Sequence, residues 1–372
     1  MKEFLKTLAF AVFLLVGNAC TEASMSIPDK GTGGTGTEEG APLSVKNLGL
    51  SVEIESRSIV TGGAVSGVEN PNPLIEVGLC VTRRSSSGAV SLYANGRSKV
   101  LYTFNNVSTP AAWELASGEE PLMLYSDMGT VYGFWPTDRS VSLAGNPKVP
   151  LMNSVKVLDK QKFYFTDGGN PVDVPTDVQW ETDQDDYLYG VATQQVDRWN
   201  PEVSLSLDHA LAKVSFRILE ANSGSGLADC GVLKVVLKSS GGFRKSTAAK
   251  LNLSTGDLSG TMTAVDQLSF TADGDIRAIG TNVNDAGLVP VQAFGLVIPM
   301  TGVSATLELT LDDGRVFTMA PAGDGSPATF TANWEKGKNY IYDIRMLPQG
   351  IEIADIQVAG WEDGGSTGIP VE

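Results

Sequence analysis

Short apolar runs with a two-residue period, each cut off by turn residues, limit what this chain can fold into. Leu48, Leu50, Val52 and Ile54 occupy every second position, with Gly49, Ser51, Glu53 and Glu55 between them. That spacing places one set of side chains on each face of an extended strand. Strand-like runs recur at 74–82, 90–94, 100–104, 123–125 and 130–136, with turns at Pro71-Asn72-Pro73 and Asn95-Gly96. Residues 137–186 are looser, and the pattern resumes at Tyr187-Leu188-Tyr189-Gly190. Residues 205–218 read as a strand pair or one long strand, and Leu233, Val235 and Leu237 alternate after them. Leu251-Asn252-Leu253 followed by Ser254-Thr255-Gly256-Asp257 predicts a tight hairpin, and Asp312-Asp313-Gly314 predicts another between 305–311 and 316–319. With charged residues sparse and glycine abundant, these runs predict an all-β protein. The length suggests two domains, 43–200 and 201–372.

The N-terminus adds an address. Lys2 and Lys6 precede an apolar run at 8–16, and Gly17 and Ala19 lead into Cys20. This is the layout of a lipoprotein signal peptide, residues 1–19, whose cysteine becomes the lipidated N-terminus. The apolar core is about half of what a helix needs to cross a bilayer, so the segment is expected to be cleaved. Residues 20–42 then form a glycine-rich tether. Its Gly31-Thr32-Gly33 has no strand before it or helix after it, so it does not predict a nucleotide site. Cleavage removes two lysines and one glutamate and takes the formal net charge from −16 to −17, which disfavours nucleic acid as a partner.

Cysteine and histidine counts exclude much chemistry. Cys80 and Cys230 sit in apolar, strand-like surroundings and read as buried thiols in preference to a disulfide. His209 is the sole histidine and lies within a strand, so a catalytic triad or a multi-imidazole metal site is not expected. The acids among 178–186 do not have EF-hand spacing and read as a solvated loop. Asp312 and Asp313 are explained by their turn. No enzyme activity, metal or cofactor is predicted.

Two segments are odd. Arg57 sits in a loop directly after the first well-formed strand, either as an ordinary surface arginine or as a protease site that would free that strand. At the other end Ile351 and Ile353 alternate, then Ile356 and Val358 alternate on a shifted register, as two short strands joined by a bulge would.

The order of these pieces resembles the fimbrillin family of Bacteroidetes, the major-pilin-like and fimbrillin-like lipoproteins. The closest likeness is the L-x-L-x-H-A-L-A-K-V-x-F run at 205–216, supported by Tyr132-Gly133-Phe134-Trp135-Pro136, Asp186-Tyr187-Leu188-Tyr189-Gly190, Val297-Ile298-Pro299 and 334–344. The resemblance implies two tandem transthyretin-like β-sandwiches and a fimbrial subunit exported through the periplasm to the outer membrane and cell surface. It also implies cleavage after an arginine following the first strand, which makes Arg57 the candidate processing site. Residues 43–57 would carry the released strand, with Leu48, Leu50, Val52 and Ile54 as its apolar residues. A donor strand within 350–372 would present Ile351, Ile353, Ile356 and Val358 to another subunit of a homo- or hetero-polymer. A host or bacterial surface ligand would be a further partner.

The rival reading is a lipid-anchored surface glycan-binding protein, which would display aromatic platforms. The six tryptophans, Trp113, Trp135, Trp180, Trp199, Trp334 and Trp361, are dispersed and read as core or junction residues. A displaceable first strand favours the pilin, and coplanar exposed tryptophans favour the glycan binder.

Overall fold

The computed structural model describes residues 39–50, 74–93, 96–105, 107–108, 110–166, 179–220, 227, 230–274, 276–280, 290–321, 325, 328–348, 350–360 and 367–369. Cys20, Val52, Ile54 and Arg57 lie outside them. Within the described residues the fold is all-β, built from sheets packed face to face.

One sheet runs in the order Ser44–Leu50, Glu202–His209, Leu188–Val191, Gly129–Trp135, Glu76–Arg84, Val100–Asn105, Ala112–Leu115, with Val90–Leu92 also paired to Glu76–Arg84. A second runs Ala293–Val297, Ala212–Glu220, Lys338–Leu347, Gly350–Gly360, Thr367–Ile369. A third and larger sheet is centred on Val232–Asn252, which pairs with Met262–Ala272, Val149–Val157 and Met300–Leu311.

The run at 205–216 resolves into two strands in two sheets. Glu202–His209 buries Val203, Leu205, Leu207 and His209 and exposes the residues between them, the period of a strand covered on one face. After Ala210 and Leu211 the chain enters Ala212–Glu220, every residue of which is buried. Such a strand tolerates polar side chains only when they are paired. Accordingly Ser215 hydrogen-bonds Asn339 at 2.8 Å, and Arg217 meets Asp343 at 3.0 Å.

Two of the other segments that carry the resemblance, 132–136 and 186–190, meet beside Glu202–His209, while Val297 and 339–346 pair with Ala212–Glu220. Leu188 pairs with His209 and Tyr189 with Asp208, and Gly190 lies opposite Gly133. Leu207 packs over both glycines. A Cβ on Gly133 would lie 2.8 Å from its side chain, and one on Gly190 would lie 2.2 Å from the Ser206 carbonyl oxygen. A larger residue at either position would push Glu202–His209 off the sheet.

Among the described residues three apolar clusters form the core. One joins Val77, Leu79, Val131, Leu205 and Leu207 to Leu43, Val45, Leu48 and Leu50. Another lies between the second and third sheets around Phe216, Leu237, Phe270, Trp334 and Tyr342. The last packs Cys80, Phe134 and Tyr187 against Met152, Val155 and Leu251. Val232–Asn252 contributes to two of these, through Val235, Leu237 and Phe243 and then through Ala249 and Leu251. Cys80 and Cys230 are buried free thiols, and burial pushes the Cys80 thiol up to about 12.

The looser stretch in the sequence contains strands at Val141–Ala144, Val149–Val157, Lys160–Thr166 and Gln179–Thr182. Their pattern is hidden because Val149–Val157 carries Pro150, a register shift between Met152 and Val155, and a positive φ of 60° at Ser154.

Candidate functional site

Ser44–Leu50 lies at the edge of its sheet and pairs in parallel with Glu202–His209, from Ser44 opposite Glu202 to Leu50 opposite Leu207. Lys46 is an extra residue in this ladder: Val45 faces Val203, Asn47 faces Ser204, and Lys46 bulges between them. The bulge carries the apolar side over from Leu43 and Val45 to Leu48 and Leu50. All four are at most 8% exposed. Sequence periodicity shows this strand only from Leu48 onward, because the polar Lys46-Asn47 pair interrupts the alternation. An L-x-V step just before it was the available signal.

The entry to the strand is fixed by the main chain. Leu43 N–H donates to the Leu122 carbonyl at 2.9 Å, Ser44 N–H donates to Pro201 at 3.0 Å, and the Tyr102 hydroxyl donates to the Leu43 carbonyl at 2.5 Å. An open groove of about 770 Å³ runs beside its far end, lined by Leu48, Leu50, Tyr189, Val191, Leu205 and Asp208 among others.

The C-terminal strand, Gly350–Gly360, is held differently. It pairs antiparallel with Lys338–Leu347 along its whole length, and Thr367–Ile369 pairs with its other edge at Ile356, Gln357 and Val358. Ala354 is the bulged residue: Asp355 faces Asp343, and Ile353 faces Ile344. The register shift read from the sequence between Ile353 and Ile356 is therefore present within one continuous strand. Ile351 is 1% exposed, but Ile353, Ile356 and Val358 are only partly buried against the core. Arg345 meets Glu352 at 3.1 Å, and the Gln357 amide donates to Asp343 at 2.9 Å. Burial holds the Asp343 carboxyl above its ordinary value; Arg217 offsets this in part, and Asp355 opposite adds to it.

The other candidates are absorbed by the fold. His209 Nδ1 lies 2.7 Å from Asp186 Oδ2, and both side chains are buried. Asp183 accepts from Lys162 N–H, Asp185 pairs with Arg139 at 2.5 Å, and Glu181 accepts from Tyr164 at 2.6 Å. The acidic stretch thus spends its carboxylates on protein donors. Asp313 accepts from Arg315 in the predicted turn, where Gly314 has a φ of 87°. Trp113 and Trp334 are buried, while Trp199 is 58% exposed with Arg198 stacked 4.4 Å from its ring centre.

The profile of a family described as fimbrillin-like matches residues 76–361. Among solved structures, a fimbrial protein from Bacteroides vulgatus is similar at 13% identity and a TM-score of 0.42, covering 87% of this chain and 99% of the other. A fimbrial assembly protein from Parabacteroides distasonis is similar at 12% identity and a TM-score of 0.39, over 90% and 100%. The tip fimbrial protein Mfa3 from Porphyromonas gingivalis, with a C-terminal truncation, shares 12% identity with a TM-score of 0.33, over 77% and 94%. No curated protein matches the sequence.

Proposed function

Because this chain belongs to the fimbrillin-like family, we propose that it is a structural subunit of a surface fimbrium that assembles by strand exchange. The observation that carries the reading is the placement of Ser44–Leu50. It is an edge strand with one ladder partner among the described residues, yet together with Leu43 just before it, it fills the core with four apolar side chains. Cleavage after Arg57 would leave this strand, with Val52 and Ile54 beyond it, attached only by non-covalent contacts. Leaving its groove empty would forfeit about 1.5–3 kcal/mol per large side chain. Refilling it with another apolar strand restores that burial, renews the main-chain ladder and covers an edge open to aggregation.

On this reading Cys20 carries the lipid that brings the precursor to the outer membrane, and Ile351, Ile353, Ile356 and Val358 belong to the donated strand. The exposed Trp199 with its stacked arginine is the one feature among the described tryptophans that suits a glycan-binding surface instead.

The deciding experiment is mass spectrometry of the mature N-terminus before and after brief trypsin treatment of folded protein, followed by sizing. Selective cleavage after Arg57 with a ladder of oligomers is the expected result. An intact Cys20 terminus on a protein that stays monomeric would refute strand exchange.

A further inference from the structure

Three large, mostly apolar side chains stand exposed on two neighbouring loops at one end of the N-terminal sheet. Tyr125 is 40%, Met128 56% and Trp199 58% exposed. The main chains join the loops: Gly129 and Val196 exchange hydrogen bonds of 2.7 and 2.9 Å, and Arg198 N–H donates to the Tyr125 carbonyl at 2.9 Å. Each loop is also pinned within itself or from below. The buried Tyr93 hydroxyl accepts from Tyr125 N–H at 2.8 Å and donates to the Asp127 carbonyl at 2.6 Å. The Asp197 carboxylate accepts from the N–H groups of Trp199 and Asn200 at 2.9 and 2.8 Å. The exposure belongs to a built surface, and apolar groups held out together in this way mark a contact.

The position of the surface indicates what it meets. The described fold starts at Glu39, whose carbonyl accepts from the Arg198 guanidinium at 3.4 Å, and a Cβ on Gly40 would lie 3.0 Å from the Tyr125 ring. Cys20 precedes Glu39 by nineteen residues, so an acyl group on Cys20 is joined to the fold through this end of the sheet. The residue types suit a bilayer. Trp and Tyr favour the membrane–water interface, where an apolar ring and a polar tip are both satisfied. Met128 adds an unbranched apolar chain, and Arg198 adds a cation for lipid phosphate. That guanidinium lies 4.4 Å from the Trp199 ring centre and covers one face of the ring, a face that a sugar platform would need open. The formal net charge of −16 sets the chain against anionic lipid, so the matching surface is zwitterionic.

We propose that Tyr125, Met128, Arg198 and Trp199 form a foot that rests in the interface of a zwitterionic bilayer. The inference builds on the reading of Cys20 as the lipidated residue and adds a second, non-covalent membrane contact. The acyl group sets the distance from the membrane, and the foot sets the orientation. Ser44 N–H donates to the carbonyl of Pro201, two residues after Trp199, so the start of Ser44–Leu50 lies beside the foot and its Leu50 end points away from it.

The test uses the mature chain carrying Cys20→Ser, so that no acyl chain assists, floated with phosphatidylcholine vesicles. It is expected to bind, and the pair Tyr125→Ser and Trp199→Ser to bind at least about 10-fold more weakly. Val107→Ser is the control. Val107 is 86% exposed beside the opposite end of the same sheet, and its loss should leave binding unchanged. Lipid brominated near the headgroup should quench tryptophan fluorescence, and Trp199→Phe should remove most of that quenching. Absence of vesicle binding, or equal binding by the Tyr125→Ser and Trp199→Ser protein, would overturn the foot. Trp199-dependent binding of cellohexaose in place of vesicles would give the surface to a glycan, and Trp199-dependent dimers on sizing would give it to a second copy. The reading of Cys20 fails separately: an unacylated natural N-terminus would overturn it and leave the foot standing, because the floated protein has no lipid.

Discussion

The N-terminal and C-terminal strands carry the same apolar spacing and the same bulge, yet they are held by opposite means. Among the described residues Ser44–Leu50 has a ladder on one side only, and it buries Val45, Leu48 and Leu50 with Leu43 just before it, so its attachment resides in apolar packing. Gly350–Gly360 has ladders on both sides and mostly half-covered side chains, so its attachment resides in main-chain hydrogen bonds. Apolar packing is recovered by any strand with suitable side chains. A ladder is recovered by almost any strand, whatever its sequence. The groove is therefore the selective partner in an exchange, and the C-terminal sheet is the permissive one.

The sharpest way to break this contrast is to prevent the C-terminal strand from leaving. Arg345 and Glu352 are ladder partners, so a disulfide between Arg345→Cys and Glu352→Cys is expected to abolish oligomer ladders after cleavage. Reductant should restore them, as sizing under both conditions will show. Truncation separates the two strands next. Leu48→Ala should destabilise the uncut protein by about 2–4 kcal/mol, whereas Ile356→Ala should cost about 1 kcal/mol, because its site is half open. Urea denaturation of both variants measures the difference, and equal losses would remove the distinction drawn between packing and ladder.

A smaller effect is expected at Tyr102. Tyr102→Phe removes the buried bond to the Leu43 carbonyl and should cost about 1 kcal/mol, seen as faster loss of the N-terminal strand after cleavage. The smallest concerns Asp355. The Asp343 carboxyl sits above its unfolded value, so its contribution to stability is complete below the ordinary aspartate range and is lost as pH rises through the raised value. Asp355→Asn removes one cause of the shift. It should flatten that pH dependence and strengthen the C-terminal ladder by a few tenths of a kcal/mol, read from hydrogen exchange across Lys338–Leu347.

Local pattern made some of this legible and hid the rest. The bulge at Ala354 was visible because isoleucines flank it on both sides. Its twin at Lys46 was not, since Lys46 and Asn47 look like any polar loop. Hairpins closed by Asp-Gly or Ser-Thr-Gly-Asp announce themselves, because a turn is a property of consecutive residues. The parallel pairing of Ser44–Leu50 with Glu202–His209 joins residues far apart in the chain, and no local signal encodes it. The roles of Gly133 and Gly190 emerge only once Leu207 is seen to lie across them. His209 could be read from its surroundings as a structural residue, but its partner Asp186 came from a stretch that looked like a solvated acidic loop.

The two-residue step at Ala210 and Leu211 has a mechanical consequence. Glu202–His209 forms the wall of the N-terminal groove and continues through that step into Ala212–Glu220, which is laddered to Lys338–Leu347, the strand next to the C-terminal one. Tension applied to a strand seated in the groove would therefore travel along covalent backbone and hydrogen-bonded ladders rather than across the apolar contacts between sheets. A strand drawn along its own axis loads its ladder bonds in shear, many at once, whereas peeling would break them one by one. A subunit wired in this way would resist pulling far better than its modest individual bonds suggest.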